Sequence, residues 1–163
     1  RSSGSYNWPA DFQLVAAMNP CRCGYLGSTK KICECTARDI SKYRSKLSGP
    51  FLDRIDMFYE MSEPQDWSIE TCNSSQGLYD RIDIAWEILK KTEQKQSLKS
   101  SMELLNSSAK NHLERARRGL NLSIRGVIRS VVVARAIAAL DCRDIIITED
   151  IIEALGYRRE LII

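Results

Sequence analysis

The chain has 163 residues, of which 44% are hydrophobic and 28% charged, a mixture typical of a globular protein. These proportions exclude collagen-like, disordered and membrane-spanning chains, and no apolar run approaches the ~20 residues that a bilayer span requires. The first residues contain no apolar secretory core, so we expect a cytoplasmic protein that acts without a membrane.

The net charge of +3 is too small to indicate nucleic-acid binding by itself, but it is unevenly distributed. Residues 21–54 contain eight basic and three acidic side chains, and residues 108–135 contain seven basic side chains and one acidic one. Two basic blocks in an otherwise acidic chain favour contact with phosphate or nucleic acid on selected faces.

The first predicted element is a strand over the apolar run Phe12–Met18. Its length and the turn residues Asn19-Pro20 that follow it are typical of a strand buried on both faces. An irregular loop over residues 19–35 comes next.

This loop contains two C-x-C pairs, formed by Cys21, Cys23, Cys33 and Cys35. Without a secretory signal, clustered thiols favour metal binding over disulfides. The two pairs supply the four soft ligands of a structural zinc site, and Lys30 and Lys31 would offset its negative charge. The alternatives are reduced thiols in a flexible loop or a local disulfide. A catalytic metal is not expected, because four protein ligands leave no open position.

A helix, a turn and a second strand are predicted after the loop. Thr36 offers an N-cap for a basic helix from Ala37 to about Leu47, and Ser48-Gly49-Pro50 ends it. Residues 55–61 alternate apolar and polar side chains, which predicts a strand. Because two strands do not form a stable sheet alone, either they pair and lean on helices or they belong to a larger sheet.

The turn presents Arg54 immediately before the second predicted strand. An arginine fixed there can bind phosphate, bidentately if the geometry allows. By spacing alone, a surface ion pair with Asp53 or Asp56 is the simpler interpretation.

The rest of the chain is predicted to be helical, after a polar boundary segment over residues 62–75. The pattern indicates helices over about 78–89 and 107–118, a third from Ser123, and a fourth from Thr148 to about Gly156. Arg125 would lie in the first turn of the third helix, where the helix dipole favours anions, with Arg129 on the same face. The simpler alternative is a solvated basic face.

Together these segments resemble the magnesium-chelatase-like AAA+ ATPases of the ComM (YifB) type. The segments that carry the resemblance are Ala16–Tyr25, Cys33–Cys35, Tyr43-Arg44, Ser48–Asp56, Leu122–Arg125, Ala134–Ala138 and Ala154–Arg158. Their order and spacing agree over nearly the whole chain.

The resemblance implies an α/β fragment of an AAA+ module. Residues 1–62 would be the C-terminal part of the ATPase core, with residual strands of a parallel sheet, and residues 63–163 the helical lid. Asn19 would be the sensor-1 residue that contacts the γ-phosphate or attacking water. Arg54 would be the arginine finger and Arg125 the sensor-2 arginine, with Arg129 beside it as a second ATP-binding residue.

The chain contains no G-x-x-x-x-G-K-[ST] phosphate loop. In the family this motif lies upstream, so the resemblance implies a C-terminal fragment that is inactive alone, within a parent ATPase that uses ATP and Mg²⁺. The parent would form a homo-oligomeric, hexameric ring that remodels DNA, as in branch migration during natural transformation. Chelatase relatives act on a tetrapyrrole-metal partner instead, and the cysteines favour the ComM side. A zinc-stabilised, non-enzymatic module that binds nucleic acid or protein is the other alternative.

Overall fold

The computed structural model describes residues 9–10, 12–61, 75–93 and 102–158. The chain divides into two compact units, Arg1–Lys46 and Leu47–Ile163. The domain boundary predicted at residue 62 falls where a segment outside the described residues begins, so it stays a prediction.

The first unit consists of the cysteine loop and helix α1 (Ala37–Arg44). A capping box starts the helix: the Thr36 hydroxyl accepts from the Asp39 backbone N–H at 3.2 Å, and the Asp39 carboxylate accepts from the Thr36 backbone N–H at 3.1 Å. This confirms the predicted start of the helix, which ends three residues before the predicted Leu47.

The second unit is helical. Its helices are α2 (Gly49–Leu52), α3 (Ser75–Glu93), α4 (Ser107–Gly119), α5 (Ile124–Leu140) and α6 (Thr148–Gly156). Ser123 caps α5 as predicted, since its hydroxyl accepts from the Gly126 N–H at 2.9 Å. The cap of α4 is Asn106 rather than Ser107 or Ser108, and α6 starts at Thr148 itself.

The core of the second unit lies between α4, α5 and α6, with α3 packed against α5. Its largest fully buried apolar side chains are Val131, Ile146 and Ile151. Alanines of α5 and α6, among them Ala134 and Ala154, are completely buried and let the helices approach closely. We attribute the stability of the bundle chiefly to this burial of apolar surface.

The predicted strands are not formed in the described part of the chain. Residues 12–18 and 55–61 have no strand pairing, and the only β-type pairing there is an isolated parallel bridge between Leu105 and Ile146. The physical reason is that a strand needs a hydrogen-bonded neighbour. Val15 is 84% exposed and Met61 83% exposed, as expected of apolar segments without that neighbour. The parallel sheet is therefore not confirmed.

No helix in the described ranges is long and apolar enough to cross a bilayer.

Two buried charged side chains hold the turn between α5 and α6. Arg135 is 5% exposed and donates to the carbonyls of Arg143 and Asp144 at 3.0 and 3.2 Å. Asp150 is 2% exposed and accepts from both terminal nitrogens of Arg143, at 2.8 and 2.7 Å, and from the Ile147 N–H. These contacts give Arg135 a structural role.

We predict that Asp150→Ala destabilises the bundle by about 2–4 kcal/mol, because it leaves the partly buried Arg143 guanidinium without its main partner. Burial raises the pKa of Asp150, but the hydrogen bonds from Arg143 outweigh it and hold the pKa below its ordinary 3.8. The stabilisation is thus complete above pH 3.8 and is lost as the pH falls further.

Urea unfolding at pH 7 and pH 3 measures the effect of Asp150→Ala. The exposed Glu149→Ala in the same first turn of α6 is the matched control, with an expected change within about 0.5 kcal/mol. An Asp150 variant as stable as this control at pH 7 would contradict the prediction.

Candidate functional site

The four clustered cysteines converge on one point in the first unit. Their sulfur atoms all lie within 4.8 Å of one another. Cys21 Sγ is 3.4 Å from Cys23 Sγ and 3.7 Å from Cys33 Sγ. Cys23 Sγ and Cys33 Sγ are 3.5 Å apart. A tetrahedral site with Zn–S bonds of about 2.3 Å places its sulfurs about 3.8 Å apart. The sulfur spacing therefore fits four thiolates around one zinc ion, and it is too long for a disulfide of about 2.05 Å.

Two tight turns bring the cysteine pairs together. The Gly24 N–H donates to the Cys21 carbonyl at 3.1 Å and closes the turn around the first pair. Gly24 and Gly27 have φ angles of +85° and +81°, which are unfavourable for residues with a Cβ. The short loop can therefore reverse direction between the two pairs.

The electrostatics of the cluster favour a bound cation. A hydrogen bond from the Tyr25 backbone lowers the pKa of Cys23 to about 6. The Cys35 backbone lowers the pKa of Cys33, but burial and the neighbouring Cys23 and Cys21 outweigh it and raise that pKa to about 12. The cluster therefore resists holding four thiolates without a compensating positive charge.

The described residues of this unit contain few buried contacts apart from the cysteine cluster. Among its described residues Cys21 alone is buried, with 0% exposure. Small units without an apolar core are commonly held by metals or disulfides. The donor set, the sulfur spacing and the absence of an apolar core among the described residues of this unit all fit a structural zinc ion.

The predicted sensor residue Asn19 lies at the entrance to the cysteine loop. Its side chain is exposed, and its amide is the nearest group to Gly24, 3.7 Å from where a Cβ would lie. Lys31, predicted to offset the thiolate charge, lies over the Tyr25 ring with its Nζ 4.5 Å from the centroid.

In the second unit, Arg54 follows the short helix α2. Ser48 caps α2 by accepting from the Phe51 N–H at 3.3 Å, and Pro50 lies in its first turn. Arg54 is exposed, and its Nη1 donates to the Pro50 carbonyl at 2.5 Å. No described carboxylate forms an ion pair with Arg54, so the surface pair with Asp53 or Asp56 that spacing favoured is not formed.

Asp53 instead bonds to the start of α5. Both of its carboxylate oxygens accept from the Ser123 hydroxyl, at 3.0 and 3.1 Å. Arg125 Nη1 lies 3.8 Å from this carboxylate and Arg158 Nη2 lies 3.5 Å from it. Gly126 lies directly beside this contact, since a Cβ there would be at van der Waals distance, 3.7 Å, from Asp53 Oδ1.

Asp56 forms the second ion pair between the α2 segment and α5. Its Oδ1 lies 3.0 Å from Arg129 Nη1, and both side chains are partly exposed. The structure therefore pairs Arg125 and Arg129, the predicted phosphate-binding residues, with carboxylates. Both carboxylates belong to the segment that carries Arg54.

Arg158 is a candidate site residue to which the sequence analysis gave no role. Its side chain is 2% exposed, and its Nη1 donates to the Ile55 carbonyl at 3.0 Å. The backbone supports the same junction, because the Phe58 N–H donates to the Tyr157 carbonyl at 2.8 Å. The sequence analysis included Arg158 as the end of the family-resembling segment Ala154–Arg158, which does not reveal a partner 103 residues away.

The sequence of the chain matches known protein families. Residues 1–69 match the family described as magnesium chelatase, subunit ChlI, and residues 72–158 match the one described as magnesium chelatase, subunit ChlI C-terminal. The chain belongs to the magnesium chelatase ChlI family. This AAA+ ATPase family is the one that the sequence resembled, and the match of residues 72–158 covers the described α3–α6 helices.

Curated relatives of this ChlI-family chain support the assignment. It is 36% identical to the uncharacterized protein YifB of Escherichia coli over 97% of its length. It is 32% identical to the competence protein ComM of Haemophilus influenzae, also over 97% of its length. Each alignment covers 33% of the relative, so the chain spans about a third of the length of these relatives. It is thus a ComM/YifB-type, magnesium-chelatase-like chain.

Proposed function

We propose that this ChlI-family chain supplies the sensor, finger and lid residues of the ATP site in a ring-forming AAA+ ATPase. The observation that carries the proposal is the pairing of Arg125 and Arg129 with carboxylates at the start of α5. A helix start with two guanidinium groups already selects oxyanions, and phosphate is the oxyanion that the family's substrate ATP presents.

Each proposed residue acts on phosphoryl transfer, either by orienting a reactant or by placing positive charge beside it. Phosphoryl transfer depends on orientation and on positive charge around the γ-phosphate. Asn19 would orient the attacking water or γ-phosphate, and Arg125 would bind phosphate oxygens from the lid. Arg54, exposed after α2, would reach the ATP of a neighbouring subunit. An arginine finger that acts on the ATP of a neighbouring subunit requires subunits arranged head to tail in a ring. We propose that this ring is a hexamer.

The test is ATP hydrolysis by the full-length protein with Arg125→Gln. We expect kcat/KM for ATP to fall about tenfold or more, because a charged hydrogen bond to phosphate contributes about 1.5–3 kcal/mol. Arg81→Gln is the matched control, an exposed arginine of α3 whose ion pair is with Asp141 at 3.7 Å. Equal activity of the two variants would contradict the proposed role.

We further propose that Cys21, Cys23, Cys33 and Cys35 hold a structural zinc ion. The ion would supply folding energy to the first unit rather than a reactive group, because four thiolates leave it no open position. ATP with Mg²⁺ would be used elsewhere in the protein, at the nucleotide site.

For the substrate of the motor we propose DNA, with branch migration in natural transformation as the process. The competence relative supports this, as do exposed basic side chains of α4 such as Lys110 and Arg115. DNA affinity of the full-length protein that falls steeply with salt would support the proposal. Salt-independent binding would favour the alternatives, a tetrapyrrole-metal partner or a protein-binding module.

A further inference from the structure

Two aspartates that flank the proposed finger face two arginines of the proposed lid. Asp53 lies immediately before Arg54 and Asp56 lies two residues after it. Their carboxylates lie 3.8 Å from Arg125 and 3.0 Å from Arg129. The segment around Arg54 thus already supplies an anion to each lid arginine.

The carboxylate of Asp53 lies at the start of α5 among a hydroxyl donor and positively charged side chains. It accepts from Ser123, the N-cap residue of α5, and it lies beside Gly126. The buried guanidinium of Arg158 adds a third positive charge, and its Nε has no hydrogen-bond partner among the described residues. Asp53 therefore has the contacts of an internal substitute for phosphate.

We propose that Asp53 and Asp56 compete with the phosphate groups of ATP for Arg125 and Arg129. The inference rests on the proposed function, in which these arginines bind phosphate. While the aspartates hold the arginines, the α2 segment with Arg54 is held against the start of α5. Phosphate that binds the two arginines weakens this attachment, although Arg158 and the Phe58–Tyr157 hydrogen bond still support it. ATP bound at the lid of one subunit would thereby loosen the finger that serves the next subunit.

The competition predicts that replacing an aspartate raises the affinity for triphosphate, whereas replacing an arginine lowers it. Replacing either aspartate with asparagine removes the competing charge, and Asp53→Asn keeps an oxygen that can accept from Ser123. Since exposed ion pairs are individually weak, we expect Asp56→Asn and Asp53→Asn to strengthen triphosphate binding about three- to fivefold each. A side chain with only a structural role would not raise affinity when it is replaced.

The experiment titrates the 163-residue chain with inorganic triphosphate and follows the arginine side-chain NMR signals. Asp141→Asn is the matched control, since Asp141 also pairs with arginines, Arg81 and Arg143, but lies at the other end of α5. It corrects for the general effect of removing one negative charge. Because Asp56 makes fewer contacts than Asp53, Asp56→Asn keeps the test informative if Asp53→Asn does not fold.

The outcomes separate the two proposals. Tighter binding in Asp56→Asn than in Asp141→Asn, lost again on adding Arg129→Gln, supports the competition. Triphosphate binding that depends on Arg125 but is equal in the Asp56 and Asp141 variants overturns the competition and leaves the proposed function intact. Binding that depends on neither Arg125 nor Arg129 overturns both.

Discussion

Replacing Arg54 with alanine in the full-length protein is expected to lower kcat for ATP hydrolysis about 10³-fold or more, with KM for ATP little changed, because arginine fingers act on the transition state. The structure makes this residue suitable for the role. It is exposed, it follows a short helix that is fixed by the Ser48 cap, and its contact in the described chain is the Pro50 carbonyl. A guanidinium held in that way can bind a phosphate from outside at little cost.

The steady-state rate of phosphate release measures the effect of Arg54→Ala. Arg81→Ala is again the matched control, with kcat expected to stay within about twofold of the wild type. A kcat for Arg54→Ala close to that of Arg81→Ala would remove Arg54 from the catalytic machinery. A higher KM with unchanged kcat would instead assign it to binding of ATP in the ground state.

Loss of the zinc site is the second large expected effect. The purified chain should contain about one zinc ion, and Cys21→Ser or Cys33→Ser should reduce this to less than about 0.1 after dialysis against a chelator. The sulfur spacing predicts the binding, and the absence of other buried residues in the described part of the first unit predicts the consequence. Without the ion, residues 19–35 should lose their structure while the helical bundle stays folded.

Elemental analysis gives the zinc content, and amide NMR spectra show which unit unfolds. Cys142→Ser is the control, since Cys142 is a free and exposed cysteine of the second unit and should not affect zinc content. Zinc-free wild-type protein, isolated without chelator and unable to take up added zinc, would contradict the prediction. The loop would then be an arm of reduced thiols or contain a local disulfide.

Local signals in the sequence were sufficient to predict two helix starts and the clustering of the four cysteines. Thr36 and Ser123 mark their helix starts because a capping hydroxyl needs only the next three residues. The cysteines were recognised because each pair is local and the chain between the pairs is short. These features depend on contacts within about a dozen residues, which a linear pattern contains.

The contacts around Arg54, the proposed finger, could not be predicted in this way. Asp53 accepts a hydrogen bond from Ser123, which lies 70 residues later in the sequence. Arg158 donates to the Ile55 carbonyl, and these two residues are 103 positions apart. Spacing alone favoured a pair between Arg54 and its neighbours Asp53 and Asp56, and it was wrong because more distant arginines bind both carboxylates. The predicted strands failed for a related reason: alternation shows that residues 55–61 suit a sheet, but a strand forms only beside a partner.

The most direct test of the proposed ATP site uses two residues of this chain in a mixed-subunit experiment. Asn19 is proposed to act on the ATP of its own subunit and Arg54 on that of its neighbour. Asn19→Ala and Arg54→Ala proteins, each almost inactive alone, should therefore regain ATPase activity when mixed in equal amounts. In a randomly mixed ring, about a quarter of the interfaces contain both intact residues. Recovery toward about a quarter of wild-type activity is the result that we predict. A mixture no more active than its parts, in rings shown to exchange subunits, would contradict the assignment of Arg54 to the neighbouring site.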